Sequence, residues 1–228
     1  MFVLSENTMI INNIYLIGTS HVAEQSINQV KNFFKDIEPD IIALELDPGR
    51  LYSLTHNVKR PKNQVLLKNL GVMGFLFYLF GEFAQKKIGN VVKIEPGSEM
   101  LTALKLAKKN KIDVALIDKN IQITLRRFSK KFKKREVLKM IADILSSPFK
   151  KNNLNVDFKK VPDKEIIDFV LKHTKKRYPS LYKVLIQERD LHMARLLNKI
   201  SEKYPDKKIM AVVGAGHVDG ITKYLRNF

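Results

Sequence analysis

Two copies of Gly-x-x-His-Val frame the chain, GTSHV at residues 18–22 and GAGHV at 214–218, with His21 and His217 in matching places. Each follows an apolar run, and the pair uses two of only five histidines. Between them stand ELDPGR, with Glu45 and Arg50, and Asp118, which closes another apolar run. Two imidazoles with one or two carboxylates make a nitrogen–oxygen donor set suited to zinc, manganese, cobalt or iron. A divalent ion held by His21, His217 and Glu45 would lower the pKa of a bound water and polarise a carbonyl, the two requirements of a hydrolase. Glu45 then serves as ligand or general base, and Arg50, Arg126 or Arg189 as oxyanion stabiliser. Cysteine is absent, which excludes thiolate metal sites, disulfides and cysteine nucleophiles.

A plainer reading exists for each motif alone: glycine in a tight turn, histidine in the first turn of a helix. It weakens when both motifs occur with an acid ending each intervening strand. Gly214-Ala-Gly216 is also compatible with a phosphate cradle at a helix N-terminus, but neither a fuller glycine fingerprint nor a Walker lysine accompanies it.

For these groups to meet, the elements that carry them must share an edge. Four short Ile/Val-rich runs read as buried strands: Ile14–Ile17, Ile41–Leu44, Val114–Ile117 and Ile209–Val213. Helical patterns lie between them at Val22–Lys35, at Met100–Asn110 with Ser98 as N-cap, and at Tyr182–Ile200. Nearly all-apolar strands alternating with helices predict an α/β fold, a mostly parallel central sheet flanked by helices. Ligands of such sheets bind beyond the carboxyl ends of the strands. His21, Glu45, Asp118 and His217 are therefore expected on one rim, although almost the whole chain separates the first from the last.

The 228 residues support one domain with a sizeable core, with helical segments at about 50–90 and 120–200, the latter an insertion capping the site. Asn155–Lys160 reads as a linker or an edge strand. The most apolar window, Leu70–Phe80, is too short for a bilayer, which needs about 20 residues, so no transmembrane span is expected. The N-terminal MFVLSENTMIINN lacks the pattern of a secretory signal, which makes a cytoplasmic location the default. A net charge of +18 and the run RRFSKKFKKR, Arg126–Arg135, suit a solvated helix face or contact with an anionic membrane surface. Nucleic-acid binding is disfavoured, because no RNP, KH or zinc-finger signature accompanies the charge. His56, His173 and His192 read as ordinary surface or packing histidines. Glu188-Arg189-Asp190 reads, on pattern alone, as a salt-bridged solvated helix face.

Taken in order, GTSHVAEQS, IIALELDPGRL, EPGSEM, DKNIQITLRR, LIQERDLHMA and VVGAGHVDGI resemble the TraB/PrgY (pheromone-shutdown) family. That family is related to the Tiki proteases and, more distantly, to the EreA and ChaN-like proteins. The resemblance implies a peptidase-like fold with a divalent metal (manganese, cobalt or zinc), and an active site built from the positions that are His21, His217 and Glu45 here. It also raises the standing of Arg50, Arg126, Arg189 and Glu188, the last as a second candidate base, and of Glu99 and Asp118 as candidate substrate contacts. Members often continue into a C-terminal membrane-spanning region. Three functions stay open: a metal-dependent hydrolase, foremost a peptidase; a non-catalytic protein that sequesters a peptide; and a metal-independent esterase with histidine as base, as in EreA-like relatives. A peptide or small-molecule substrate is expected, and the helical insertion offers surface for a homodimer.

Overall fold

The computed structural model describes residues 8–19, 24–56, 97–120 and 164–228, with isolated positions between 65 and 142. Five strands form one sheet: β1 (Thr8–Ile11), β2 (Ile14–Thr19), β3 (Ile41–Leu44), β4 (Asp113–Leu116) and β5 (Ile209–Gly214), in the order β1-β2-β5-β3-β4. All neighbours are parallel except β1 and β2, which form an antiparallel hairpin. The four strands expected from the apolar runs are present; β1 was not foreseen. Its signal is the pair Asn12-Asn13 between apolar residues, and Asn12 takes the left-handed φ of 52° that asparagine tolerates in a tight turn. Asn13 then donates to the carbonyls of Tyr204 and Lys207, at 2.9 and 2.8 Å, tying the hairpin to the loop that precedes β5.

The last strand enters the middle of the sheet. β5 lies between β2 and β3, with Thr19 opposite Gly214 and Leu44 opposite Val212. The strands leading into the two Gly-x-x-His motifs are thus nearest neighbours, and the strand leading into Glu45 flanks the second.

Along β5 the side chains alternate between two layers, as a strand buried on both faces requires. Ile209, Ala211 and Val213 pack with Met193, Ala194 and Leu197 of α6 (Glu188–Lys203) and with Val218, Ile221 and Leu225 of α7 (Val218–Leu225). Met210 and Val212 face Val30, Phe33 and Ile37 of α1 (Glu24–Ile37) and Met100, Ala103 and Ala107 of α3 (Ser98–Asn110). Between β3 and α3 runs α2 (Pro48–Thr55); before α6 come α4 (Lys164–Arg177) and α5 (Pro179–Tyr182). At α3 the cap is Gly97, with φ 88°, and Ser98 begins the helix itself. A Cβ at Gly97 would touch Leu54 at 3.0 Å, so glycine also lets α2 pack closely there.

The long helix expected at Tyr182–Ile200 is not uniform. Lys183–Gln187 forms one π-helical turn between α5 and α6, immediately before Glu188-Arg189-Asp190. Such turns recur at functional sites because they change which residues face inward. Among the described residues no helix is long and apolar enough to cross a membrane. Leu70–Phe80 apart from Phe75, all of Asn155–Lys160, and most of the 50–90 and 120–200 insertions before residue 164 lie outside the described residues.

Candidate active site

Glu45 follows β3 directly, and its position is set by β5. Its backbone N–H donates to Val212 O at 3.1 Å, and its Oε2 accepts the Gly214 N–H at 2.6 Å. The side chain is 2 % exposed. Two residues on, Asp47 caps α2 by accepting from the N–H groups of Gly49 and Arg50, at 2.9 and 3.4 Å. Asp47 also accepts from Arg50 Nε at 2.9 Å, which leaves another arm of that guanidinium to reach Asp118 beyond β4. Asp118 further accepts the Lys119 N–H at 2.6 Å.

Arg189, in the first turn of α6, draws these acids together. Its Nε and Nη2 donate to the two oxygens of Asp118 at 3.0 and 2.7 Å, and Nη2 also donates to Glu45 Oε1. Its Nη1 donates to Leu185 O at 3.2 Å and lies 3.1 Å from His217 Nε2. Five contacts thus use the five N–H groups a guanidinium has. Leu185 belongs to the π-helical turn, so that irregular turn supplies one of the acceptors that aim the arginine.

His217 ends a 3₁₀ turn (Ala215–His217) after β5 and is buried. Its Nδ1 lies 2.5 Å from Asp190 Oδ1, and its Nε2 lies 3.5 Å from Glu45 Oε1. Arginine can only donate, so the contact from Arg189 requires a lone pair on Nε2. A neutral imidazole then carries its proton on Nδ1 and gives it to Asp190. The arrangement fixes the tautomer and turns the basic nitrogen towards Glu45, Arg189 and the strand ends. Burial raises the pKa of Asp190 above the ordinary aspartate value, against the lowering effects of the His217 hydrogen bond and of the charges on His217 and Arg189. Gly220 makes room for this carboxylate: a Cβ there would stand 2.6 Å from Asp190 Cγ.

Five expected residues, Glu45, Arg50, Asp118, Arg189 and His217, therefore meet in one hydrogen-bonded cluster. Glu188 stands at its rim, paired with Arg127 Nη1 at 2.9 Å and Lys119 Nζ at 3.4 Å. Glu99 is buried in the first turn of α3. His21 and Arg126 lie outside the described residues. His56 stacks on Tyr52 and His173 on Phe169, both at the surface. His192 is half-buried, and burial, with the charges of Lys119 and Arg195, lowers its pKa.

Asp190 was missed, and the solvated-face reading of Glu188-Arg189-Asp190 fails at this residue. Asp190 is buried together with Met193, Ala194, Leu197 and Ser201. The signal was available: Asp190 stands three, four and seven residues before three apolar residues, on the stripe a helix turns inward. A carboxylate there needs a partner, and His217 is that partner.

Among the described residues, no group of three or more His, Asp or Glu side chains could hold a metal ion. Glu45 Oε1 and His217 Nε2 are donors of the right type, but the Arg189 guanidinium bonds to both. A divalent cation shared by these two atoms would face a fixed positive charge, so the residues as arranged do not fit one.

Over 215 residues the chain is 38% identical to an uncharacterized protein of Methanocaldococcus jannaschii, a match covering 94% of the chain and 53% of that protein. It is 24% identical over 236 residues to TraB domain-containing proteins of mouse and human, covering 92% of the chain and 62% of each. The chain thus spans about half the length of the archaeal relative and under two thirds of the mammalian ones. A family model, TraB/PrgY/gumN, matches residues 7–228, which includes both Gly-x-x-His motifs, Glu45, Arg189 and Asp190, and the chain belongs to that family.

Proposed function

We propose that the chain is a hydrolase in which His217, oriented by Asp190, is the general base that takes a proton from water attacking a carbonyl. The observation that carries this is the buried contact of Asp190 with His217 Nδ1 at 2.5 Å, beside an Arg189 Nη1 contact at 3.1 Å that requires a lone pair on Nε2. The imidazolium formed as the proton moves is stabilised by the Asp190 carboxylate, and general-base catalysis of this kind contributes about 10²–10⁴ in rate. Glu45 Oε1, 3.5 Å from Nε2, lies within reach of the same water. Arg189 releases Nη1 from His217 to the developing oxyanion. Peptide bonds are the substrate class suggested by the resemblance to the Tiki proteases; esters are the class suggested by the EreA-like relatives.

A second reading, the metal-dependent peptidase, draws support from one feature: a carboxylate bonded to the Nδ1 of a histidine is also the usual outer shell of a metal-bound imidazole. It requires His21 and a displaced Arg189. Metal analysis and hydrolysis of a peptide and ester panel, measured on the same preparation, separate the readings. The histidine-base mechanism predicts turnover that survives chelation and is lost in His217→Ala. Turnover lost on chelation and restored by manganese, cobalt or zinc would establish the metal mechanism. Stoichiometric peptide binding without turnover would leave the protein a sequestering one.

A further inference from the structure

A narrow cleft separates α4 from the turn that carries His217. Its floor is apolar, made by Ile167 and Leu171 of α4 with Ala215, Gly216 and Val218. Gly216 and Val218 are the chain neighbours of His217, so an occupant of the cleft lies against the same turn that holds the imidazole. Glycine keeps the floor low, since a Cβ at Gly216 would already be in ordinary contact with Leu171 Cδ2, at 3.9 Å.

Three charged residues complete the lining. Lys164 Nζ donates to Asp219 at 3.2 Å, bridging α4 and α7. Asp168, one turn along α4 from Lys164, has no hydrogen bond or ion pair among the described residues. Other charges stand close in sequence. Exposed Glu165 adds a further carboxylate on α4, and exposed Lys172 and Lys223 come one turn after Asp168 and Asp219. None of these three lines the cleft, and neither of those lysines is ion-paired among the described residues. With Lys164 engaged by Asp219, the Asp168 carboxylate is the lining charge left for a ligand.

An apolar floor beside one unpaired carboxylate matches a side chain with an apolar stem and a cationic head. Lysine and arginine bury such stems while their charged heads stay in water. A glutamate would meet Asp168 with like charge, and a short apolar side chain would leave it unused. The net charge of +18 opposes a cation only weakly at range, because salt screens exposed charges beyond about 8 Å. We propose that the cleft is a specificity subsite for a basic side chain of a peptide substrate, with its stem laid over Leu171 and Gly216 and its head at Asp168. This rests on the reading of His217 as the reacting centre.

Acetylated alanine peptides carrying lysine, norleucine, glutamate or alanine at one position in turn test it. Initial rates are measured with the wild-type protein, and binding of the same peptides, fluorescein-labelled, by anisotropy with His217→Gln. At one position lysine is expected to exceed norleucine by about threefold to fivefold, the strength of an exposed ion pair. Norleucine should exceed alanine there by about tenfold, through burial of its stem. Asp168→Asn should abolish the lysine preference, and Asp168→Lys, a change at an exposed position, should place glutamate above lysine. Binding that follows this pattern without turnover would keep the subsite and remove the hydrolase reading. Turnover with lysine and norleucine treated alike at every position, or a lysine preference that survives Asp168→Asn, would overturn the subsite and leave hydrolysis standing. Neither binding nor turnover of any of these peptides would overturn both.

Discussion

Asp190→Asn is expected to lower hydrolysis by about two to four orders of magnitude while the protein remains folded. Asparagine keeps the shape of the side chain and removes the charge that stabilises the His217 imidazolium. With its amide turned inward it also forces the proton onto Nε2, where it would meet Arg189 Nη1 at 3.1 Å. Stability should respond in the opposite sense at higher pH. Burial raises the Asp190 pKa, so folding favours its protonated form. The stability this contributes is present at low pH and is lost as pH rises from the ordinary value of 3.8 through the raised one. Asparagine has no such loss, so the stability of the variant relative to wild type should improve across that window. Urea unfolding at several pH values measures it. Gly220→Ala reaches the same carboxylate indirectly, through a Cβ 2.6 Å from Asp190 Cγ, and should lower the rate in the same direction. Alanine is the better helix former, so a fall in stability there would report the clash and not the helix.

Arg189→Met is expected to cost about 3–5 kcal/mol, the range for removing one partner of a buried ion pair. Its guanidinium separates Glu45 and Asp118, which are 2% and 6% exposed, and methionine would leave both carboxylates without that charge. Arg189→Lys should recover only part of the loss, since an ammonium cannot bond Asp118 through two nitrogens and reach Glu45, His217 and Leu185 O as well. Denaturant midpoints of the two variants measure this. A cost below about 1 kcal/mol, the value of an exposed pair, would mean that the arginine does not compensate the two acids.

The rim of the sheet was legible because apolar strands announce themselves and their carboxyl ends share an edge. Glu45 follows β3 directly and Asp118 comes two residues after β4, while Arg50 lies in the first turn of α2 and His217 in the 3₁₀ turn after β5. The sequence did not show that β5 inserts between β2 and β3, because the order of parallel strands depends on crossovers and not on local pattern. That insertion makes the two Gly-x-x-His strands neighbours. Asp190 was hidden for a different reason. It sits in a charged triplet whose first two members suggest an outward face, and the π-helical turn just before it alters the inward register. Only the spacing to Met193, Ala194 and Leu197 marks it as buried. The hairpin strand β1 was overlooked because four residues before an Asn-Asn turn are too few to stand out.

In the proposed mechanism His217 presents an unprotonated Nε2 to the site because Asp190 holds the proton on Nδ1. Long-range proton–nitrogen NMR of the imidazole, assigned with His217→Gln, tests it without knowledge of the substrate. In the neutral imidazole a protonated Nδ1 and a bare Nε2 are expected, unchanged by a chelator and lost as a pure state in Asp190→Asn. A proton on Nε2 in the wild-type protein would contradict it.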